Sequence, residues 1–554
     1  MRHRNGTRSA VWKLALCAVM TVSVLCGCAQ HSAPVSGQEM PAQPANSASA
    51  AQTEQQTAQN RTTLRIFSEL NSKTANTCTS YDEVLGMQVL EEATGVDILW
   101  EHPPIGQEQE QFNLMVASQS LPDMIYWNWM SSYAGGPEKA ILDNVIVKLN
   151  DYLPRTPNIA ALYEQYPELK KQAMTDEGTL YMFPFIRGLC LNPQDEIHNY
   201  FVGPAYRKDW ADALGIDEPR TIDELYQMLT AFKNSDPQRI AYSATQKSTD
   251  STGIYSMCAA FGVLHNFYME DGVINHGLLS PKFKSFVETM AQWYAEGLID
   301  PDFLANDSNS FKAKVTNGEV GFYIGSQGGN WVSFSKVLET TVPEAKLAVM
   351  HWPAGQDGVA YTAQNAVNHI VSGPGVAITT KNTDLEASLR YLDYGYGQEG
   401  IALLNYGIEG VTYQVKDGEI TFTDAIKQET DEKGTDFVLG QYAFGGISSW
   451  STLQTVPLMK LTRTYPGQYE SVFTWGDCSN ALIVPPVTPT TDEATQIANI
   501  INQVTTYRDE MIGKIIMGQV PMSEYDAIVE AAKGMGLEQA VAIENAALVR
   551  YQNR

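Results

Sequence analysis

Two short stretches combine flat aromatic rings with amide side chains, the residue types that stack on a ligand and hydrogen-bond its rim. One is Trp127-Asn128-Trp129. The other is Gly325-Ser326-Gln327-Gly328-Gly329-Asn330-Trp331, where glycines let a backbone approach a bound molecule and Gln327 and Asn330 offer planar polar groups. Trp450, behind a Gly-rich run, and Trp475 are further ring candidates. Arg207, two residues before Asp209, suits either a ligand clamp or a structural ion pair. Covalent chemistry has no comparable signal. The eight His form no H-E-x-x-H, and neither G-x-S-x-G nor a P-loop occurs. Asp300-Pro301-Asp302 and Asp431-Glu432-Lys433-Gly434 lack the rhythm of a calcium loop. The expectation is a binding site with no catalytic residue, metal or cofactor.

The surrounding pattern supplies elements to hold these residues. A helix over 81–94 places Val84, Leu85, Val89 and Leu90 on one side and stops at Gly95; 96–100 follows as a strand. A helix over 107–118 and a strand over 121–126 come next, so Trp127 and Trp129 stand just past a strand end, on one side if the alternation persists. Strand–helix alternation implies a parallel sheet, and ligands collect at the carboxyl ends of such strands. A strand over 320–324 likewise feeds the Gly-rich turn before Trp331. Thr221 and Glu224 spell a capping box, and from there to about 350 the chain reads as mainly helical. A strand over 373–380 and a helix through Leu385, Leu389 and Leu392 return to the earlier pattern. The expected class is α/β, visiting one lobe, crossing to a second and coming back.

The amino terminus addresses the chain. Arg2, Arg4, Arg8 and Lys13 precede an uncharged stretch over 14–25, the order of a secretory signal and too short to span a bilayer. Leu25-Cys26-Gly27-Cys28 is similar to a bacterial lipobox, which implies cleavage before Cys28 and acylation of its thiol. Residues 29–60 carry only Glu39 and Glu54 as charges and almost no large apolar side chain, the composition of a flexible tether. The net charge of −26 becomes about −30 without the leader, which argues against nucleic acid and anionic lipid as partners. Cys78, Cys190, Cys258 and Cys478 are scattered and are expected to be free or buried thiols.

Several blocks, in order over most of the chain, resemble the extracellular solute-binding protein family 1, the carbohydrate receptors of ATP-driven importers that include the alginate- and maltose-binding proteins. They are Leu121-Pro122-Asp123-Met124-Ile125, the run from Tyr206 through Leu225, Trp293-Tyr294-Ala295-Glu296-Gly297-Leu298-Ile299-Asp300, Asn405-Tyr406-Gly407-Ile408-Glu409-Gly410 and the tail from Met511. The resemblance implies a two-lobed periplasmic-binding-protein-like fold of type II with a ligand cleft between the lobes. It divides the chain into a signal peptide (1–27), a lipidated Cys and tether (28–60), lobe one (61–185), lobe two (186–370), a return to lobe one (371–435) and a closing part of lobe two (436–554). It carries a stacking role to Trp127 and Trp331, from opposite lobes; Trp129 enters by adjacency. It further implies a monomer on the outer face of the cytoplasmic membrane, anchored at Cys28, that passes an oligosaccharide to ABC-transporter permeases. Alternatives are a peptide or other solute in the same fold, and a surface carbohydrate-active enzyme or adhesin. The calcium loop of alginate-binding relatives finds no equivalent rhythm in Asn192-Pro193-Gln194-Asp195-Glu196.

Overall fold

The computed structural model describes residues 61–188, 191, 200–245, 251–364, 369–443 and 450–554. The leader, Cys28, the tether, Cys190, the stretch 192–196 and the Gly-rich run before Trp450 lie outside the described residues.

The chain begins with β1 (Thr62–Phe67), α1 (Leu85–Thr94), β2 (Val96–Glu101), α2 (Glu108–Ala117) and β3 (Met124–Trp127). Each boundary has a local cause. Gly95 closes α1 in the left-handed region, at φ 67°, where a side chain would be strained. Asp123 pins the start of β3: its carboxylate accepts from Arg65 N at 2.8 Å, and from Thr383 N and Oγ1 at 2.6 Å each. That joins three chain-distant segments through one buried charge.

After β4 (Phe183–Arg187) the chain crosses to a second sheet. It forms β5 (Val202–Arg207), α3 (Ile222–Ser235), β6 (Ile240–Tyr242), the hairpin β7 (Phe267–Glu270) and β8 (Val273–His276), α4 (Pro281–Ala295), β9 (Val320–Ser326) and β10 (Leu347–Val349). The capping box at Thr221 is present, with Glu224 N and the Thr221 side chain 3.2 Å apart. The region expected to be mainly helical holds, besides the anticipated β9, the strands β6, β7, β8 and β10; β6 and β10 are needed to flank β5 and β9 in the second sheet.

The return passes through β11 (Val371–Ile378), α5 (Leu385–Tyr394), the hairpin β12 (Tyr413–Lys416) and β13 (Glu419–Phe422), α6 (Thr435–Tyr442) and β14 (Leu453–Gln454). The final part holds α7 (Val456–Thr462), α8 (Ser471–Gly476), α9 (Thr491–Ile516) and α10 (Leu537–Gln552).

The first sheet has the order β14-β4-β11-β3-β1-β2 and the second β10-β5-β9-β6. The three opening strands are parallel, as the alternation predicts. β11, however, runs antiparallel to β3 and β4, and β5 runs antiparallel to β9 and β10. The reason is the crossing itself. Strands that leave a sheet end at its crossing edge, so a strand arriving there must start at that edge and run the other way.

Each sheet has its own buried apolar cluster. One gathers residues such as Ile66, Met124, Ile186, Val376 and Trp450; the other gathers Leu225, Phe286, Phe322, Ile483 and Ile512. Burying one large apolar side chain contributes about 1.5–3 kcal/mol. A third cluster, from Tyr406 to Leu458, covers the β12–β13 hairpin and α6. Gly86 in α1 has the backbone of Tyr442 against it, so α6 sits directly on the first sheet's helices. Among the described cysteines, Cys78, Cys258 and Cys478 are free.

Candidate ligand-binding cleft

Strand directions bring the carboxyl ends of β1, β2, β3, β9 and β10 to the crossing edges of their sheets. The segments that follow are Ser68-Glu69, His102, Asn128-Trp129, Gln327 and Met350-His351. Backbone bonds tie this edge together. Arg187 N donates to Ile370 O at 2.8 Å, and Gln327 N to Phe201 O at 2.7 Å.

On the first sheet, Trp127 stacks on Phe112 of α2 at 4.2 Å between ring centroids, and Trp129 meets the same Phe112 edge-on at 5.8 Å. Both indoles are buried, and neither Nε1 has a hydrogen-bond partner among the described residues. Asn128 turns its Oδ1 toward Ser131 N, 3.3 Å away. Trp450 stands in a separate ring cluster, 5.5 Å from both Trp100 and Tyr126. Tyr126 and Trp127 are neighbours on a strand and so face opposite sides, which is why their clusters are distinct. Tyr81 and His102 extend the Trp450 cluster; Tyr81 lies edge-on to Trp100 at 5.0 Å, and burial lowers the pKa of His102.

On the second sheet, the Gly-rich run is a helical turn, Gln327–Val332, continuing into the helix Ser333–Thr341. Gly325 is needed here because Asn330 folds back over it, accepting from Ser326 N at 2.7 Å and Oγ at 2.8 Å. Gln327 is buried and donates to Gln468 O at 2.8 Å and Ser471 Oγ at 2.6 Å. These two acceptors orient its amide, so Oε1 receives Arg463 Nε at 2.8 Å. Trp331 packs edge-on against Tyr465 at 5.8 Å and Trp475 at 6.4 Å. Its Nε1 reaches Leu347 O at 3.4 Å. The structure thus brings Gln327, Asn330, Trp331 and Trp475 together.

Arg207 stands apart. β5 starts at the crossing edge, so its last residue is at the opposite end of the sheet. There Arg207 is buried, holds Asp209 through Nε and Nη2 at 2.8 and 2.6 Å, donates to Gly318 O and lies over the Trp210 ring at 4.3 Å. The ion-pair alternative describes this arrangement. The Arg207 contacts help keep the Asp209 carboxyl below its usual range, against the opposing effect of burial.

Sequence reading passed over Arg463, Tyr465 and the charges around His351. Arg463 carries no motif; its position becomes visible only where α7 ends against Gln327. Burial lowers its guanidinium to about 10. His351 Nδ1 lies 2.6 Å from Glu218 and Nε2 3.6 Å from Asp477, beside a cavity of about 530 Å³ also lined by Arg220, Trp352 and Cys478. His351 is the second residue of the segment running from β10 to β11.

Among the described residues no group of three or more His, Cys, Asp or Glu could hold a metal ion. No described helix is long and apolar enough to cross a membrane.

The sequence profile of the family described as bacterial extracellular solute-binding protein matches residues 80–402. The fructooligosaccharide ABC transporter substrate-binding protein FusA of Streptococcus pneumoniae is 25% identical over 507 residues, covering 85% of this chain and 88% of its own. Lipoprotein LipO of Bacillus subtilis is 23% identical over 352 residues, 61% of this chain and 66% of LipO. The structure of FusA in complex with kestose superposes with a TM-score of 0.68 at 22% identity, over 89% of this chain and 99% of that one. At that identity the likeness is one of fold, the two-lobed solute-binding fold.

Proposed function

Because the chain belongs to the bacterial extracellular solute-binding protein family, we propose that it captures an oligosaccharide between its two lobes and hands it to the permeases of an ABC transporter. The observation that carries this reading is the coincidence of two things at the crossing edges: ring-and-amide clusters on both sheets, and a fold shared with a receptor solved with kestose. Rings match the C–H faces of a sugar and amides its hydroxyls. Closure of one lobe on the other would bring the Trp127 and Trp331 groups to a common ligand, by hinge motion at the crossings. Trp127, Asn128, Trp129, Gln327, Asn330, Trp331, Trp450 and Trp475 are the residues assigned to this cleft. The binding partners among relatives are substrates of transport, which supports a receptor rather than an enzyme.

Lobe one is assigned to the first sheet; because β14 pairs with β4 there, its returning part is extended from 435 to β14, and lobe two takes the second sheet with α7 to α10. Anchoring through an acylated Cys28, with residues 29–60 as tether and the receptor acting as a monomer, completes the reading; the likeness to LipO supports it.

A calorimetric screen of oligosaccharides against oligopeptides tests the ligand class. Saturable heat from saccharides alone is expected; binding of peptides alone would overturn the reading. For the anchor, metabolic labelling with palmitate should mark the wild type and leave Cys28→Ser unlabelled.

A further inference from the structure

Among the described residues several arginines withdrawn from solvent are neutralised at once. Arg207 has Asp209, Arg508 has Asp509, and Arg550 and Arg554 share Asp176. Arg463 differs. It is half-buried at the end of α7 and makes no ion pair among the described residues. Half-buried Arg239 shares that lack, but its guanidinium lies over the Trp210 ring and donates from Nη1 to Ser235 Oγ. The Nε of Arg463 is committed to Gln327 Oε1, whose own amide is locked by Gln468 O and Ser471 Oγ. That fixes the guanidinium plane and leaves Nη1 and Nη2 without a partner among the described residues; they are the end of the fork that meets both oxygens of one carboxylate. Glu339, which could have approached, is bonded to the Tyr465 hydroxyl at 2.8 Å. Lys460, three residues earlier on the same helix, likewise has no ion-pair partner among the described residues and lies 6.0 Å from the Tyr469 ring.

Withdrawing a guanidinium from water without a counter-charge is costly. The same burial lowers the pKa of Arg463. In a chain of net charge −26 acidic side chains are plentiful, so an arginine kept clear of them stands out. Gln327 directly follows β9, so Arg463 stands at the crossing edge beside Trp331 and Tyr465.

We propose that Arg463 is the anion anchor of the cleft and that the captured saccharide carries a carboxylate. The proposal rests on the oligosaccharide reading above and names the substrate class within it. An acidic sugar would bring the missing counter-charge, its carboxylate accepting from Nη1 and Nη2 while its ring meets the aromatic side chains.

The test is titration calorimetry of the purified protein with oligogalacturonate and oligoalginate fragments. Each is compared with its carboxyl-reduced neutral counterpart and with a sulfated oligosaccharide of similar length. One acidic fragment should bind at least tenfold more tightly than its reduced form. Arg463→Gln should abolish that preference, and Arg463→Lys should retain part of it, with melting curves confirming that both variants are folded. Equal affinity for acidic and reduced forms overturns the proposal, as does a preference that survives Arg463→Gln or binding confined to the sulfated sugar. Binding of neutral fructo-oligosaccharides alone, unaffected by Arg463→Gln, sinks the anchor and leaves the oligosaccharide reading standing. Binding of peptides and no saccharide removes both.

Discussion

The indole of Trp475 lies across Gly203, so close that a methyl group there would overlap the ring, and its Nε1 donates to Pro204 O at 3.1 Å. A glycine in the middle of the second sheet is thereby the seat of a tryptophan from a segment more than 270 residues later. Gly203→Ala should push Trp475 off the strand and destabilise the protein by about 1–3 kcal/mol, the usual cost of overpacking. Urea unfolding checks this; an unchanged midpoint would show that the ring can shift freely.

Trp331 joins that same cluster and is only 4% exposed. Trp331→Ala should weaken saccharide binding by about 1–3 kcal/mol, whereas Trp331→Phe should lose less because a ring remains. Affinities are measured below each variant's melting temperature, to separate binding from packing. If the Ala variant binds every recognised saccharide as the wild type does, Trp331 is a packing residue alone.

Burial and the neighbouring Asp97 raise the Glu91 carboxyl from 4.5 to about 7, and its Oε1 is buried without a hydrogen-bond partner among the described residues. A folded-state value above the unfolded one means the folded protein holds the extra proton between these limits. The stability it contributes is present below about 4.5 and is lost as pH rises toward 7. Glu91→Gln should flatten this slope and be the more stable form at pH 8 by about 1–2 kcal/mol, discounted for partial exposure. Urea midpoints at pH 5 and pH 8 for both proteins decide it; parallel pH profiles would refute the assignment.

Asp176 joins the first-sheet region to the carboxyl-terminal helix. Its side chain is 1% exposed and pairs with Arg550 Nε at 2.6 Å and with Arg554. Arg550 also reaches Glu493 at the start of α9. Arg550 would keep Glu493, but the buried Arg554 would lose its counter-charge, so Asp176→Ala should cost about 3–5 kcal/mol. Hydrogen exchange should show the loss concentrated in α10. Uniform protection with an unchanged melting temperature would mean the network is idle.

Local features were legible because their causes are local. Gly95 ends α1 where its left-handed φ is needed, and Thr221 and Glu224 cap α3 through bonds three residues apart. The periodicity around Leu85, Val96 and Met124 supplied the opening parallel strands, and the ordered blocks supplied the family. What escaped depends on partners far along the chain. β11 is antiparallel because it enters from the crossing edge, a fact of topology and not of its residues. The run Gly325 to Trp331 reads as a turn, yet Asn330 bonding back to Ser326 winds it into a helix.

The same division governs the site. Composition and spacing determined, unaided, that rings and amides follow strand ends and that no catalytic motif competes with them. Only the tertiary structure decided which of them meet. It set Trp127 and Trp129 on one Phe112, sent Arg207 to the far end of its strand, and placed Arg463 against Gln327 across 136 residues. Periodicity tells which face of an element is apolar, since that follows from neighbours in sequence. Whether a buried charge has a partner follows from neighbours in space, and those exist only once the chain has crossed between its sheets.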